Sequence, residues 1–138
     1  MSNKIETTNG VNINVEDLGG TGNPVVFIHG WPVNYNMFEY QFTELPKHGY
    51  RCIGIDLRGF GDSDKPWDGY NYDTMADDVK AVLDTLNIEN ATLVGFSMGG
   101  AISIHYMARH NGAHKKTCSS SCGCTLLYQT TRLSTWSR

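Results

Sequence analysis

At 138 residues the chain suits one ordinary domain, yet it falls short of the roughly 200 residues that many α/β folds use as a unit. A hydrophobic share of 40%, with no apolar run near the roughly 18 residues a span requires, excludes a transmembrane protein. A formal charge of −3 leaves no basic surplus for phosphate backbones, which excludes nucleic acid as a general partner. The opening Met1-Ser2-Asn3-Lys4-Ile5 lacks the charged-then-apolar layout of a signal peptide, which predicts a cytoplasmic setting without structural disulfides.

In chain order, Ile5, Val11, Ile13 and Val15 alternate with polar residues about Asn9-Gly10, the pattern of a hairpin of half-buried strands. Gly19-Gly20-Thr21-Gly22 lacks the Lys and the following helix of a phosphate loop and is read as a turn. Val25-Val26-Phe27-Ile28 is continuously apolar, as suits a strand covered on both faces, and residues 51–55 and 91–94 form two more. Helices are predicted over 36–45, ended near Pro46, over 72–86, and from Ser97 to about 110. The second carries Met75, Val79, Val82, Leu83 and Leu86 on one stripe, with Asp73 and Thr74 available as caps. For the third, Ala101, Ile104 and Ala108 define the expected face. Strands alternating with helices imply an α/β fold with a mostly parallel sheet and helices on both faces.

Gly95-Phe96-Ser97-Met98-Gly99 lies between an apolar strand and a helix, the context of a nucleophile elbow. Such a turn strains the serine backbone and tolerates only small neighbours, hence the flanking glycines. Ser97 would then be exposed over a helix N-terminus, where the Met98 amide and the helix dipole can stabilise an oxyanion. His29-Gly30-Trp31-Pro32 closes another strand, and the Trp31 backbone N–H is the candidate second donor. Trp31, Phe96 and Met98 are expected to line an apolar pocket, while His29 is read as a hydrogen-bonded stiffener of its loop. The run Asp56 to Pro66, with two glycines among charges, is read as an ordered turn held by Arg58 with nearby carboxylates.

Together these three motifs, in this order and spacing, resemble the α/β-hydrolase family. Within it the chain is similar to cofactor-free haloperoxidases (perhydrolases) and arylesterases. The resemblance covers about residues 5–114. It implies an α/β-hydrolase fold and Ser97 as nucleophile, with the amides of Trp31 and Met98 as oxyanion hole. It further implies no metal or haem, and a small-molecule ester or acyl substrate passed to water or peroxide. A non-catalytic module of the same fold, holding an apolar small molecule near Trp31 and Phe96, is the alternative.

The chain departs from the family after Ser97. The triad order is Ser, then Asp or Glu, then His, but all fourteen acidic residues lie at or before Glu89. His105 stands eight residues beyond Ser97 on the same helix, about 12 Å along its axis, and His110 and His114 lie farther still. None is placed to act as base. Residues 1–114 are thus predicted to be the N-terminal part of a hydrolase domain, and 115–138 an aberrant tail. That tail holds thirteen Ser, Thr or Cys in 24 residues and has no apolar periodicity. One nucleotide lost just before Thr117 accounts for it: in the shifted frame 117–126 can encode Leu-Ala-Leu-Leu-Leu-Ala-Ala-Ala-Pro, an apolar strand ending at proline. The rival reading is a metal or redox cluster at Cys118, Cys122 and Cys124, but their C-x₃-C-x-C spacing has no standard partner pair. Sequencing the gene past codon 116 checks this. The expected result is a shifted-frame continuation encoding an Asp or Glu and then a His; a stop with no continuation in any frame overturns it.

Overall fold

The computed structural model describes residues 2–7 and 9–110, together with the strand backbones of 117–119 and 125–130. The elements are β1 (Ser2–Glu6), β2 (Asn12–Asp17), β3 (Pro24–Ile28), α1 (Glu39–Glu44), β4 (Arg51–Ile55), α2 (Tyr72–Thr85), β5 (Ala91–Phe96), α3 (Met98–His110), β6 (Thr117–Ser119) and β7 (Thr125–Thr130). They build a mixed sheet of order β1-β2-β4-β3-β5-β7-β6. The centre, β4-β3-β5, is parallel. On one side β2 joins β4 antiparallel and β1 pairs antiparallel with β2; on the other β7 joins β5 antiparallel and β6 pairs antiparallel with β7.

Alternation along the central strands divides the core. Val26, Ile28, Ile53, Ile55 and Leu93 face one side, where they meet Met75, Val79, Val82 and Leu83 of α2 and Ile102 and Tyr106 of α3. Val25, Phe27, Cys52 and Val94 face the other, under Phe38, Phe42 and Leu45 around α1. The continuously apolar strands read from sequence are therefore covered on both faces. In the hairpin Ile5 pairs with Ile13, and Ile5, Val11, Ile13 and Val15 are all buried. Arg51 and Asp17 clamp β4 to β2 through a paired ion contact at 2.6 Å.

Several local expectations change. Helix α1 begins at Glu39, later than read from sequence, and ends at Glu44 just before Pro46. A 3₁₀ turn over Leu45–His48 accepts that proline in its first turn, where no amide is needed, and Gly49 at φ +85° stops the chain. Helix α2 is capped by Asn71, whose side chain accepts the Thr74 N–H, rather than by Asp73 or Thr74. It ends at Asn87, which takes the left-handed conformation (φ 56°) that asparagine tolerates. On α3 the buried face is Ile102, Ser103, Tyr106 and Met107, whereas Ile104 is exposed. The cause is the elbow: Gly99 seats against β3, so residues three, four, seven and eight positions on must face the sheet.

In the tail, where periodicity predicted nothing, β7 pairs with β5 from Ala91↔Thr130 to Phe96↔Thr125. A strand edge offers unpaired amides and carbonyls, and the Thr, Leu and Tyr residues of 125–130 have the propensity to meet them. Cys122 and Cys124, named in the rival metal or redox reading of the tail, lie outside the described residues, as does His114.

Among the described residues, the one fully enclosed ion pair links the loop after β4 to α2. Arg58 Nε and Nη2 donate to the two carboxylate oxygens of Asp78 at 2.6 and 2.7 Å, and both side chains are almost wholly buried. Removing one partner strands a buried charge. Asp78→Ala is expected to cost about 3–5 kcal/mol in urea unfolding, and the double change Arg58→Met with Asp78→Leu much less. Equal losses for the single and double variants would contradict this.

Candidate active site

Strand register sets the site. Ile28 pairs with Ile55 on one side and Gly95 on the other, so β3, β4 and β5 end level. The segments that follow, His29-Gly30-Trp31, Asp56-Leu57-Arg58 and Ser97-Met98, thereby collect at the carboxyl edge of the parallel strands, where α/β sheets hold ligands.

Ser97 occupies the junction of β5 and α3 at φ +53°, a conformation that costs a non-glycine residue about 1–3 kcal/mol. Its residue is exposed. Three glycines permit the bend. A Cβ on Gly95 would lie 2.5 Å from the Gly99 carbonyl oxygen, and one on Gly99 would lie 2.0 Å from that of Ile28. One on Gly30 would meet Phe96 at 3.0 Å and the Ser97 Cβ at 3.2 Å, so the loop after β3 abuts the serine itself. Met98 opens α3, and its amide is among the helix's first N–H groups, which have no acceptor in the helical ladder. Trp31 stands next to Gly30, largely exposed, and its peptide to Pro32 is cis.

His29 ties two of these loops. Its ring is fully buried. Nε2 accepts the Leu57 N–H at 3.0 Å, so the ring proton belongs on Nδ1, which donates to the Gly30 carbonyl at 2.7 Å. Phe60 meets the ring edge-on at 5.3 Å. Burial holds the His29 pKa below its usual 6.5, opposed by the Gly30 hydrogen bond and the Asp56 charge. Both nitrogens are engaged, so the ring serves as the stiffener expected from sequence.

The turn after β4 is organised differently from expectation. Asp56, not Arg58, holds it: its carboxylate accepts from the Tyr35 and Asp62 amides and the Asn14 side chain at 2.9–3.0 Å. Gly61 lies so close that a Cβ would sit 2.2 Å from an Asp56 oxygen. Arg58 instead reaches across to Asp78 on α2. Sequence spacing alone did not pair residues 20 apart, although a carboxylate within the apolar stripe of α2 was the available signal.

Next to the elbow is a cavity of about 420 Å³ lined by Trp31, Gly59, Phe60, Tyr70, Met75 and Met98. Two of the three expected pocket residues border it. Phe96 does not; it packs toward Val25, Phe27 and Val94 on the α1 side. Gly59, Phe60, Tyr70 and Met75 were not anticipated. His105 and His110 point to other work, bonded to Asp73 and Asp77 of α2 at 2.7 and 2.6 Å. A polar cleft of about 330 Å³ between Lys80, Asp84 and His110 lies away from the elbow. Among the described residues no three His, Cys, Asp or Glu converge on a metal position, and no helix is long and apolar enough to cross a membrane.

A family model described as the alpha/beta hydrolase fold matches residues 23–123. The AB hydrolase superfamily protein YisY of Bacillus subtilis (strain 168) is 65% identical over 113 residues, covering 82% of this chain and 42% of its own. The non-heme chloroperoxidase CPO-A1 of Kitasatospora aureofaciens is 46% identical over 104 residues, 75% of this chain and 38% of that one. An esterase from Exiguobacterium antarcticum superposes with a TM-score of 0.78 at 50% identity, over 82% of this chain and 42% of the esterase. The chain spans about two-fifths of the length of these relatives.

Because the folded chain holds His29 neutral and the unfolded chain titrates near 6.5, the unfolded state binds more protons just below that value. Stability is then retained above about pH 6.5 and declines as pH falls toward the lower folded value. Asp17, held low chiefly by Arg51, and Asp77, held low chiefly by Arg109, contribute only at more acid pH. Melting temperature is expected to fall between about pH 7.5 and 5.5, with a shallower slope in His29→Asn. Equal slopes would remove His29 as the cause.

Proposed function

The chain belongs to the α/β-hydrolase family, and from that premise we propose that it carries the nucleophile half of a serine hydrolase acting on small esters. Ser97 Oγ attacks the acyl carbon, and the amides of Met98 and Trp31 receive the charge that develops on the acyl oxygen. The histidine of the longer gene product takes the Ser97 hydroxyl proton during attack and returns it to the alcohol as the intermediate collapses, which leaves an acyl-enzyme. Water then releases the acid, or hydrogen peroxide takes the acyl group in a perhydrolase-like branch. The cavity beside Met98 receives the apolar part of the substrate. No cofactor enters these steps.

The observation that carries this reading is the left-handed backbone at an exposed serine, with Gly30 pressed against its side chain. A binding module needs the cavity but gains nothing from a strained serine. The triad acid and histidine belong, in this reading, to a longer gene product of the length of the chain's relatives. His105 and His110, each engaged with an α2 carboxylate, do not replace them.

In that longer product a fluorophosphonate is expected to label Ser97, and Ser97→Ala to abolish labelling; an unlabelled serine favours the binding module. The 138-residue chain by itself is expected to show only residual ester hydrolysis, far below the 1–10³ s⁻¹ typical of enzymes. Enzyme-like turnover of an aryl ester by this chain, lost in Ser97→Ala, would refute the assignment of acid and base to missing sequence.

A further inference from the structure

We propose that Tyr70 sets the length of the apolar group that the cavity beside Ser97 accepts; this rests on the reading of that cavity as the substrate site. The residues around the cavity differ in how they are held. Met75 is 1% exposed and belongs to the core under α2. Phe60 is braced against His29. Met98 and Trp31 contribute the two oxyanion amides. Tyr70 remains, 44% exposed and contributed by the loop between β4 and α2.

Its ring is nonetheless fixed. It lies on bare Gly59, where an added Cβ would stand 2.6 Å from the ring Cε1 and 3.0 Å from the hydroxyl oxygen. The hydroxyl donates to the Pro66 carbonyl at 2.5 Å, closing the loop 66–70 on itself. The adjoining Gly69 is seated on Arg58, 2.0 Å from Nη1 measured at its would-be Cβ, and Arg58 is pinned by Asp78. A side chain with both ring and hydroxyl held forms a firm wall, and its replacement leaves the core residues in place. None of the six lining residues carries a charge, so the group it measures is a neutral hydrocarbon.

Straight-chain methyl ketones, which cannot be hydrolysed, probe the wall directly, with Trp31 fluorescence in the same cavity reporting occupancy. Affinity is expected to climb about fourfold per methylene up to a cut-off length and then stop. Tyr70→Ala should carry the climb at least two methylenes further, so that the longest ketones bind about tenfold or more tighter than to the parent chain. Tyr70→Phe, which keeps the ring, should hold the cut-off within one methylene. If Tyr70→Ala fails to fold by circular dichroism, Tyr70→Leu carries the same expectation. An unchanged cut-off in the folded truncation variant, or no saturable binding of any ketone, overturns the proposal. Ser97→Ala should leave the cut-off where it is; a cut-off that moves with residue 70 while Ser97 of the longer product resists labelling would sink only the hydrolase reading.

Discussion

The site depends on a backbone contact. The first turn of α3 lies against the end of β3 so closely that Gly99 leaves no room for a methyl group before the Ile28 carbonyl. That contact fixes the helix against the strand and turns Ile102, Ser103, Tyr106 and Met107 into the sheet. It also forces Ser97 into the left-handed region and brings Gly30 against it. The buried Ser103 hydroxyl completes the arrangement by donating to the Gly99 carbonyl at 2.8 Å. Local strain at one residue is offset by packing at many, the usual way in which a sparsely populated conformation persists.

Around that contact the loops are joined by polar groups that are buried and satisfied. His29 connects the β3 and β4 loops through one donor and one acceptor. Asp56 gathers amides from two loops and a side chain from β2. Arg58 and Asp78 carry the same loop onto α2. Each would be expensive if half satisfied, and each is paired. The cavity walls rest on this network: Phe60 on His29, Gly69 and the Tyr70 loop on Arg58.

Which parts were readable from sequence follows from how local their causes are. The apolar runs 25–28 and 51–55 and the Gly-x-Ser-x-Gly turn are set by neighbours within a few residues, and they fold where the pattern puts them. The Asn71 cap, the Arg58–Asp78 pair and the orientation of α3 depend on contacts across the fold. For α3, counting from Gly99 gives the correct face, while apolar spacing alone chose Ala101, Ile104 and Ala108 because Ser103 broke the pattern. The cavity was a third visible: Trp31 and Met98 lie in the two loop motifs, whereas Gly59, Phe60, Tyr70 and Met75 arrive from segments remote in sequence. Phe96 was misplaced because consecutive strand residues point to opposite faces.

Asp73 and Asp77 on α2 sit one turn apart, and His105, Arg109 and His110 on α3 engage them in step. Exposed pairs of this sort add little stability, but they act as teeth. If α3 slid by one turn, about 5.4 Å, the teeth would no longer mesh, and the serine at its head would travel the same distance from the tryptophan loop. A rack of weak charges along two helices thus indexes the elbow that holds Ser97.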